Sequence, residues 1–290
     1  MGATRAERAP AKINLSLRVI GRRADGYHEL ESLVVFAAIG DALTFTAGRK
    51  LALTVRGPTG ASAGAVGDNL VLKAAHALAE RIEGVKLGRF ALSKRLPVAA
   101  GLGGGSADAA AALRLLARAN RLAIDDSRLR EAARATGADV PVCLDPRSRL
   151  MCGVGDILSE PIDLRRLPAV LVNPRVAVPT KDVFVRLNAP RIVRAARSAP
   201  PNRLPTERTE LIAYLHSQTN DLEPPAIALQ PAIADVLAAL HQLAGCRLAR
   251  MSGSGATCFA LFDTAKAAAA AARVLRARHA TWWVRATSLG

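Results

Sequence analysis

Gly101, Gly103, Gly104 and Gly105 are crowded between a strand pattern that runs into Pro97 and a strongly helical run that opens at Ser106. Chemically this is a cradle for an anion. Glycines let backbone N–H groups approach a charged oxygen without Cβ interference, and the helix that follows offers its unpaired N–H groups and positive dipole end to the same charge. The segment fits neither familiar phosphate template, because GxGxxG would need glycine where Ser106 stands and a Walker loop would close on Gly-Lys-Ser/Thr. Dinucleotide and P-loop folds are therefore disfavoured, while a tight strand–helix crossing is the alternative the loop alone leaves open. A second glycine loop, MSGSGAT from Met251 to Thr257, lies between two strand patterns. A hairpin turn accounts for it as well as a binding loop does.

Lys12 and Asp139 are a cation and a carboxylate far apart in sequence, and no periodicity brings them together. Taken singly, each reads as a solvated charge. Tyr27-His28 is an aromatic beside an imidazole, a pairing that by itself is usually structural.

The elements that must hold these residues can be read from periodicity. From Lys12 to Val19 the chain alternates, with Ile13, Leu15, Leu17 and Val19 on one face and Lys12, Asn14, Ser16 and Arg18 on the other, which predicts a half-buried strand. Strand patterns follow at Leu33 to Ile39, Ala42 to Thr46 and Leu51 to Val55, then a helix from Leu70 to Ile82 behind Asp68-Asn69 and a strand from Phe90 to Leu96. A helix is expected over Ser127 to Thr136, stopped by Gly137. A strand from Ala169 to Asn173 opens the second half, and 189–205, rich in Pro, Arg, Ser and Asn, reads as an exposed connection. The tail follows as helix (Ile233 to Leu243), strand (Arg247 to Met251), glycine loop, strand (Thr257 to Phe262), helix (Ala265 to Arg278) and strand (Trp282 to Ala286), a β-α-β-β-α-β order of ferredoxin-like type. The expected fold class is α+β in two domains, 1–160 and 161–290.

With 290 residues, half of them hydrophobic, the chain has a sizeable core and is not disordered. The net charge of +16 would suit a nucleic-acid partner, but it comes from 7 lysines and 33 arginines scattered along the chain, and only 3% of residues are aromatic. Single-strand binding needs a clustered basic stripe and stacking platforms, so RNA binding is the weaker reading. The four cysteines form no CxxC pair and the five histidines show no metal-ligand spacing. These features, with no secretory or membrane-spanning segment, predict a reduced, cytoplasmic protein.

Three segments, APAKINLSL at 9–17, LPVAAGLGGGSADAAAAL at 96–113 and MSGSGATCFALF at 251–262, together resemble the motifs of the GHMP kinase superfamily, in its order. RRADGYHELES at 22–32 resembles the branch that acts on a cytidyl-diphosphate methylerythritol, and GADVPVCL at 137–144 extends the match. The resemblance implies a two-domain GHMP kinase fold, with a ribosomal-protein-S5-like N-terminal domain carrying ATP binding and catalysis and a ferredoxin-like C-terminal domain. It also implies transfer of the γ-phosphoryl of ATP to the 2-hydroxyl of that acceptor, with Mg²⁺ expected.

Residue by residue, the resemblance makes Lys12 and Asp139 catalytic, with Asp139 taking or orienting the hydroxyl proton. It assigns ATP to Asn69, Lys94 and the loop Pro97, Val98, Ala99, Ala100, Gly101, Leu102, Gly103, Gly104, Gly105, Ser106 and Ala107. The substrate falls to Asn14, Tyr27, His28, Thr180, Phe184, Gly253, Ser254 and Gly255. Tyr27 and Phe184 are expected to stack on cytosine while a neutral His28 reads its edge, and Lys181 adjoins the same pocket. No protein carboxylate is assigned to Mg²⁺, and Ala107 replaces a serine common in the family. The expected partners are ATP and the acceptor alone, with no nucleic acid and no membrane, acting as a monomer or weak homodimer. A homoserine or mevalonate kinase of the same superfamily is the competing enzyme reading, against which Tyr27, His28 and Phe184 argue for a nucleobase.

Overall fold

The structure, a computed structural model, describes residues 4–192 and 204–290, so residues 193–203 of the expected 189–205 connection lie outside the described residues. In chain order the elements are β1 (Arg5–Arg22), β2 (His28–Ala47), β3 (Ala52–Arg56), α1 (Leu70–Ala79), β4 (Gly88–Ser93), α2 (Gly104–Asn120), α3 (Ser127–Thr136), α4 (Val140–Leu144), β5 (Arg149–Gly153), β6 (Ile157–Leu158), β7 (Leu167–Asn173), α5 (Thr180–Leu187), α6 (Arg208–His216), α7 (Glu223–Leu229), α8 (Ala232–His241), β8 (Leu248–Met251), β9 (Cys258–Leu261), α9 (Ala265–Arg278) and β10 (Trp283–Leu289). Among the described residues no helix is long and apolar enough to cross a membrane.

The chain forms two compact units, one of Met1–Lys12, Ile39–Val98 and Gly103–Pro146, the other of Ile13–Ala38, Ala99–Leu102 and Arg147–Gly290. The units interleave in sequence, whereas a cut near residue 160 assigns one continuous segment to each. The physical reason is the length of the first two strands, each of which begins in one unit and ends in the other.

In the first unit β4 pairs antiparallel with the end of β2, from Ala42 opposite Ser93 to Ala47 opposite Gly88, and parallel with β3. The Phe45 and Phe90 rings meet in its core at 4.9 Å between centroids. Helix α2 buries Ala109 to Leu113, Leu115 and Leu116. Its run of alanines suits such a position, because small side chains let α1 and α4 approach its axis. Asn69 caps α1 by accepting the Val71 N–H at 3.0 Å, as the Asp-Asn pair before the helix suggests.

In the second unit the order β7, α8, β8, β9, α9, β10 builds an antiparallel sheet with strand order β10-β7-β9-β8. This is the ferredoxin-like arrangement that the β-α-β-β-α-β pattern predicts. Helices α5 to α7 are inserted between β7 and α8, on either side of the expected 189–205 connection. The core is Val170, Val172, Ile233, Val236, Leu240, Phe262, Leu275 and Val284. The first half of β2 pairs with β5 from Leu30 opposite Gly153 to Val34 opposite Arg149.

Three local readings change. The half-buried strand is buried on both faces from Ala11 to Leu17, because the polar residues Lys12, Asn14 and Ser16 are covered as fully as their apolar neighbours. Two expected strands fuse into β2, since nothing in the short interval Gly40-Asp41 turns the chain. Helix α2 opens at Gly104 rather than Ser106, capped by Gly103 in the left-handed conformation.

Candidate active site

In the first unit Lys12, 4% exposed, donates from Nζ to Asp139 Oδ1 at 2.8 Å. The partners are unequally covered, the Asp139 side chain keeping 38% of its surface open to solvent. Asp139 occupies the cap position of α4, yet its carboxylate makes no capping bond and Pro141 supplies no N–H in the first turn. Its remaining acceptor capacity is therefore available to a proton or a hydroxyl.

The glycine loop meets the same lysine. Gly103 has φ of +58°, and a Cβ there would lie 3.1 Å from Lys12 Cβ and 3.2 Å from Cε. Directly after it the backbone N–H groups of Gly104, Gly105 and Ser106 open α2, a seventeen-residue helix whose first hydrogen bond to the cap is made by Ala107. A helix start of the kind that suits an anion thus sits beside a buried ammonium. Ala100, Leu102 and Ala107 turn their side chains inward, so what they offer a ligand is backbone.

Lys94 is placed differently from a residue reaching toward a nucleotide. It is 4% exposed, and Nζ donates to Asp41 Oδ2 at 2.5 Å and to Asp108 Oδ2 at 2.8 Å. Asp41 Oδ1 also accepts the Leu96 N–H at 2.9 Å, just before the glycine loop, and Asp108 lies in α2, just after it. One cluster therefore ties both ends of the loop. One ammonium cannot fully compensate two buried carboxylates. Burial, against the pull of Lys94 and helped by Asp41, pushes Asp108 up to about 7. Burial also disfavours charge on Lys94, but the two carboxylates outweigh it and hold the ammonium above its usual value.

In the second unit the two glycine loops touch. The Ser252 hydroxyl, fully buried, donates to Gly101 O at 3.0 Å and accepts the Asn14 N–H at 3.1 Å, while Thr257 N donates to Ala100 O at 3.1 Å. A Cβ at Gly101 would strike the Ser252 carbonyl and lie 2.9 Å from both Gly255 N and Gly255 O, so only glycine fits. Asn14 donates to Ser32 Oγ at 2.7 Å, and its own Oδ1 is buried without a partner, facing the position a Cβ of Gly253 would take at 3.3 Å. A buried acceptor left open in this way suits a ligand donor.

The second unit also gathers the aromatic candidates. His28 and Phe184 stack on each other, centroids 4.5 Å apart and planes at 26°. Phe184 thus covers one face of the imidazole, while Tyr27 is 62% exposed. Burial, then the charge of Arg22, holds His28 below its usual value, which keeps the imidazole neutral near pH 7. Thr180 Oγ1 and Ser254 Oγ lie 2.8 Å apart, and Lys181 is exposed. Sequence reasoning missed Ser32, Asp41, Asp108 and Ser252. Of these only Ser252 had a visible signal, a small hydroxyl inside the second glycine loop.

Among the described residues no group of three or more His, Cys, Asp or Glu side chains is arranged to hold a metal. The first turn of α2 offers the backbone N–H groups of Gly104, Gly105 and Ser106 and carries one hydroxyl, that of Ser106, a donor set that suits a phosphate.

Two family models match the chain, "GHMP kinases N terminal domain" over residues 69–145 and "GHMP kinases C terminal" over residues 207–281. A protein of Xanthobacter autotrophicus named 4-diphosphocytidyl-2-C-methyl-D-erythritol kinase is 59% identical over 286 residues, covering 97% of this chain and 98% of the relative. A protein of the same name from Rhodopseudomonas palustris is 56% identical over 293 residues, covering 98% and 94%. Among solved structures, a 4-(cytidine 5'-diphospho)-2C-methyl-D-erythritol kinase superposes with a TM-score of 0.75 at 35% identity, covering 99% of each chain. The homoserine kinase of Cytophaga hutchinsonii, at 19% identity and a TM-score of 0.70, shares the fold.

Proposed function

The chain belongs to the GHMP kinase family, and from that premise we propose that it transfers the γ-phosphoryl group of ATP to the 2-hydroxyl of 4-diphosphocytidyl-2-C-methyl-D-erythritol, releasing ADP and the 2-phosphate. The observation that carries the reading is Lys12, which touches both Asp139 and the start of the phosphate-cradling helix at Gly103. Identity of 59% to a kinase of that name and the 35% identical solved structure support the choice of acceptor.

In this reading the ATP phosphates lie over Pro97–Ala107, with the N–H groups of Gly104, Gly105 and Ser106 directed at them and the Ser106 hydroxyl beside them. Asn69 stands toward the adenine. Asp139 accepts the proton of the acceptor hydroxyl as its oxygen forms a bond to the γ-phosphorus and the bond from that phosphorus to the β,γ-bridging oxygen breaks. Lys12 offsets negative charge on the transferring group. Its ammonium is already oriented by Asp139, so little reorganisation accompanies the reaction. The Ser106 hydroxyl is the side-chain oxygen the loop would offer to Mg²⁺, which would supply neutralisation of phosphate charge.

The acceptor's cytosine is read by Tyr27, His28 and Phe184. The exposed Tyr27 ring supplies a stacking face, and the neutral His28, backed by Phe184, presents hydrogen-bonding nitrogens. Asn14 Oδ1, Thr180, Ser254 and the backbone of Gly253 and Gly255 hold the diphosphate and polyol. The general positive charge of the chain attracts both polyanionic ligands.

A coupled ADP-release assay tests the proposal. Turnover is expected with the cytidyl acceptor and not with homoserine, mevalonate or free methylerythritol phosphate. Comparable turnover with mevalonate or homoserine would overturn the acceptor assignment.

A further inference from the structure

We propose that Arg114 is a positioning residue for phosphoryl transfer, setting the distance between Lys12 and Asp139 without touching either ligand. This rests on the reading of Lys12 and Asp139 as the reacting pair. Neither residue is held by its own element. Lys12 is on a strand, and Asp139 heads α4, a five-residue helix whose last carbonyls have no partners within it.

Arg114, on α2 and with its side chain 12% exposed, connects the two elements. Its Nε donates to Glu7 Oε2 at 3.2 Å and its Nη2 to Arg8 O at 2.7 Å, both on β1 a few residues before Lys12. Its Nη1 donates to Cys143 O at 2.7 Å, at the far end of the helix that Asp139 begins. All three guanidinium nitrogens are engaged, and the planar fork fixes the angle between the strand and the helix as well as their separation. Lysine cannot reproduce this, because a single ammonium has no rigid fork. The glycine loop and Arg114 share α2, so the phosphate cradle and the reacting pair are referred to one rigid element.

The neighbouring Arg118 provides an internal control. One helical turn further on, it pairs with Glu7 Oε1 at 2.6 Å and donates to Ala6 O at 3.0 Å, and among the described residues its bonds go to β1 rather than to α4. It shares Arg114's anchor on β1 and lacks the link to Asp139.

The test is steady-state kinetics on the full chain with Arg114→Leu, Arg114→Lys and Arg118→Ala, beside Lys12→Met and Asp139→Asn, with thermal unfolding of each. Arg114→Leu is expected to lower kcat by about 10- to 100-fold with both KM values within about threefold, the split expected when reacting groups are misplaced while binding persists. Arg114→Lys should fall between it and wild type, and Arg118→Ala should keep kcat within about twofold. Wild-type kcat in Arg114→Leu overturns the proposal, as does an equal kcat loss in Arg118→Ala. Should Arg114→Leu not fold, Arg114→Lys decides, since wild-type kcat there is equally fatal. If Lys12→Met and Asp139→Asn retain turnover, the reading of the pair is what fails. If they are inactive while Arg114→Leu is wild-type, only the role of Arg114 fails.

Discussion

Gly103 rests on the stem of Lys12 so closely that an added Cβ would stand 3.1 Å from the lysine Cβ. The start of α2 at the glycine loop and the buried ammonium are thereby one piece of structure. Gly103→Ala meets both this contact and a left-handed φ of +58°, a conformation that costs an L-residue roughly 1–2 kcal/mol. It is expected to lower kcat/KM for ATP about tenfold while leaving acceptor KM nearly unchanged. Unaltered ATP kinetics would show that the loop tolerates the shift and does not set phosphate position.

Asp139→Ala and Lys12→Met should each reduce kcat by about 10²- to 10⁴-fold, the range for losing a positioned proton acceptor or a charge that stabilises the transition state. Nucleotide affinity, measured by titration with a non-hydrolysable ATP analogue, should stay within a few-fold, because the loop N–H groups are untouched. Near wild-type turnover in Asp139→Ala would remove the carboxylate from the mechanism.

Tyr27→Ala should weaken acceptor binding by about 1–3 kcal/mol, the usual loss on removing one stacked ring from a base. The effect should appear in the KM of the cytidyl acceptor and hardly at all in that of ATP. Equal losses for both substrates would count against stacking by this exposed tyrosine.

Asp108 predicts a pH dependence of stability. Its value in the folded chain, about 7, lies above the ordinary carboxyl value of 3.8. Between those values the folded chain therefore holds a proton that the unfolded chain releases. Through this group stability falls as pH rises toward 7 and is regained as pH drops toward 4. Asp108→Asn removes the penalty of a charged second carboxylate while Asp41 still pairs with Lys94. Relative to wild type, its stability in denaturant titrations should improve between about pH 5 and pH 8 by roughly 1–3 kcal/mol, each pKa unit corresponding to about 1.4 kcal/mol. A difference that stays constant across this range would place Asp108 outside the pH response.

Much of the architecture is a local property of the chain. Helix α3 falls where its pattern and the stop at Gly137 put it, at Ser127–Thr136, and helix α9 where its pattern puts it, at Ala265–Arg278, with Asp126 and Thr264 capping them. The ferredoxin-like order can be read from the alternation of strand and helix patterns in the last third. Both glycine loops are visible as glycine clusters, and at Gly101, Gly103, Gly253 and Gly255 the backbone takes the positive φ that favours glycine. All these signals come from residues within a few positions of one another, which is the range over which periodicity and capping act.

What tertiary structure alone decided are the pairings across distance. Lys12 and Asp139 are 127 residues apart, and the motif resemblance named both without supplying the 2.8 Å contact. Alternation placed Lys12, Asn14 and Ser16 on a polar, half-exposed face of a strand. Folding buries that face, because Asp139 covers Lys12 while Ser32 and Ser252 cover Asn14. Lys94 had the look of a ligand contact, yet its ammonium is held by Asp41 and Asp108, partners contributed by a strand and a helix that no spacing rule connects to it. Burial and ion pairing depend on which elements close over a residue. That is a property of the assembled unit, which is why Arg114 reads as one surface arginine among 33 in the sequence and as a brace in the fold.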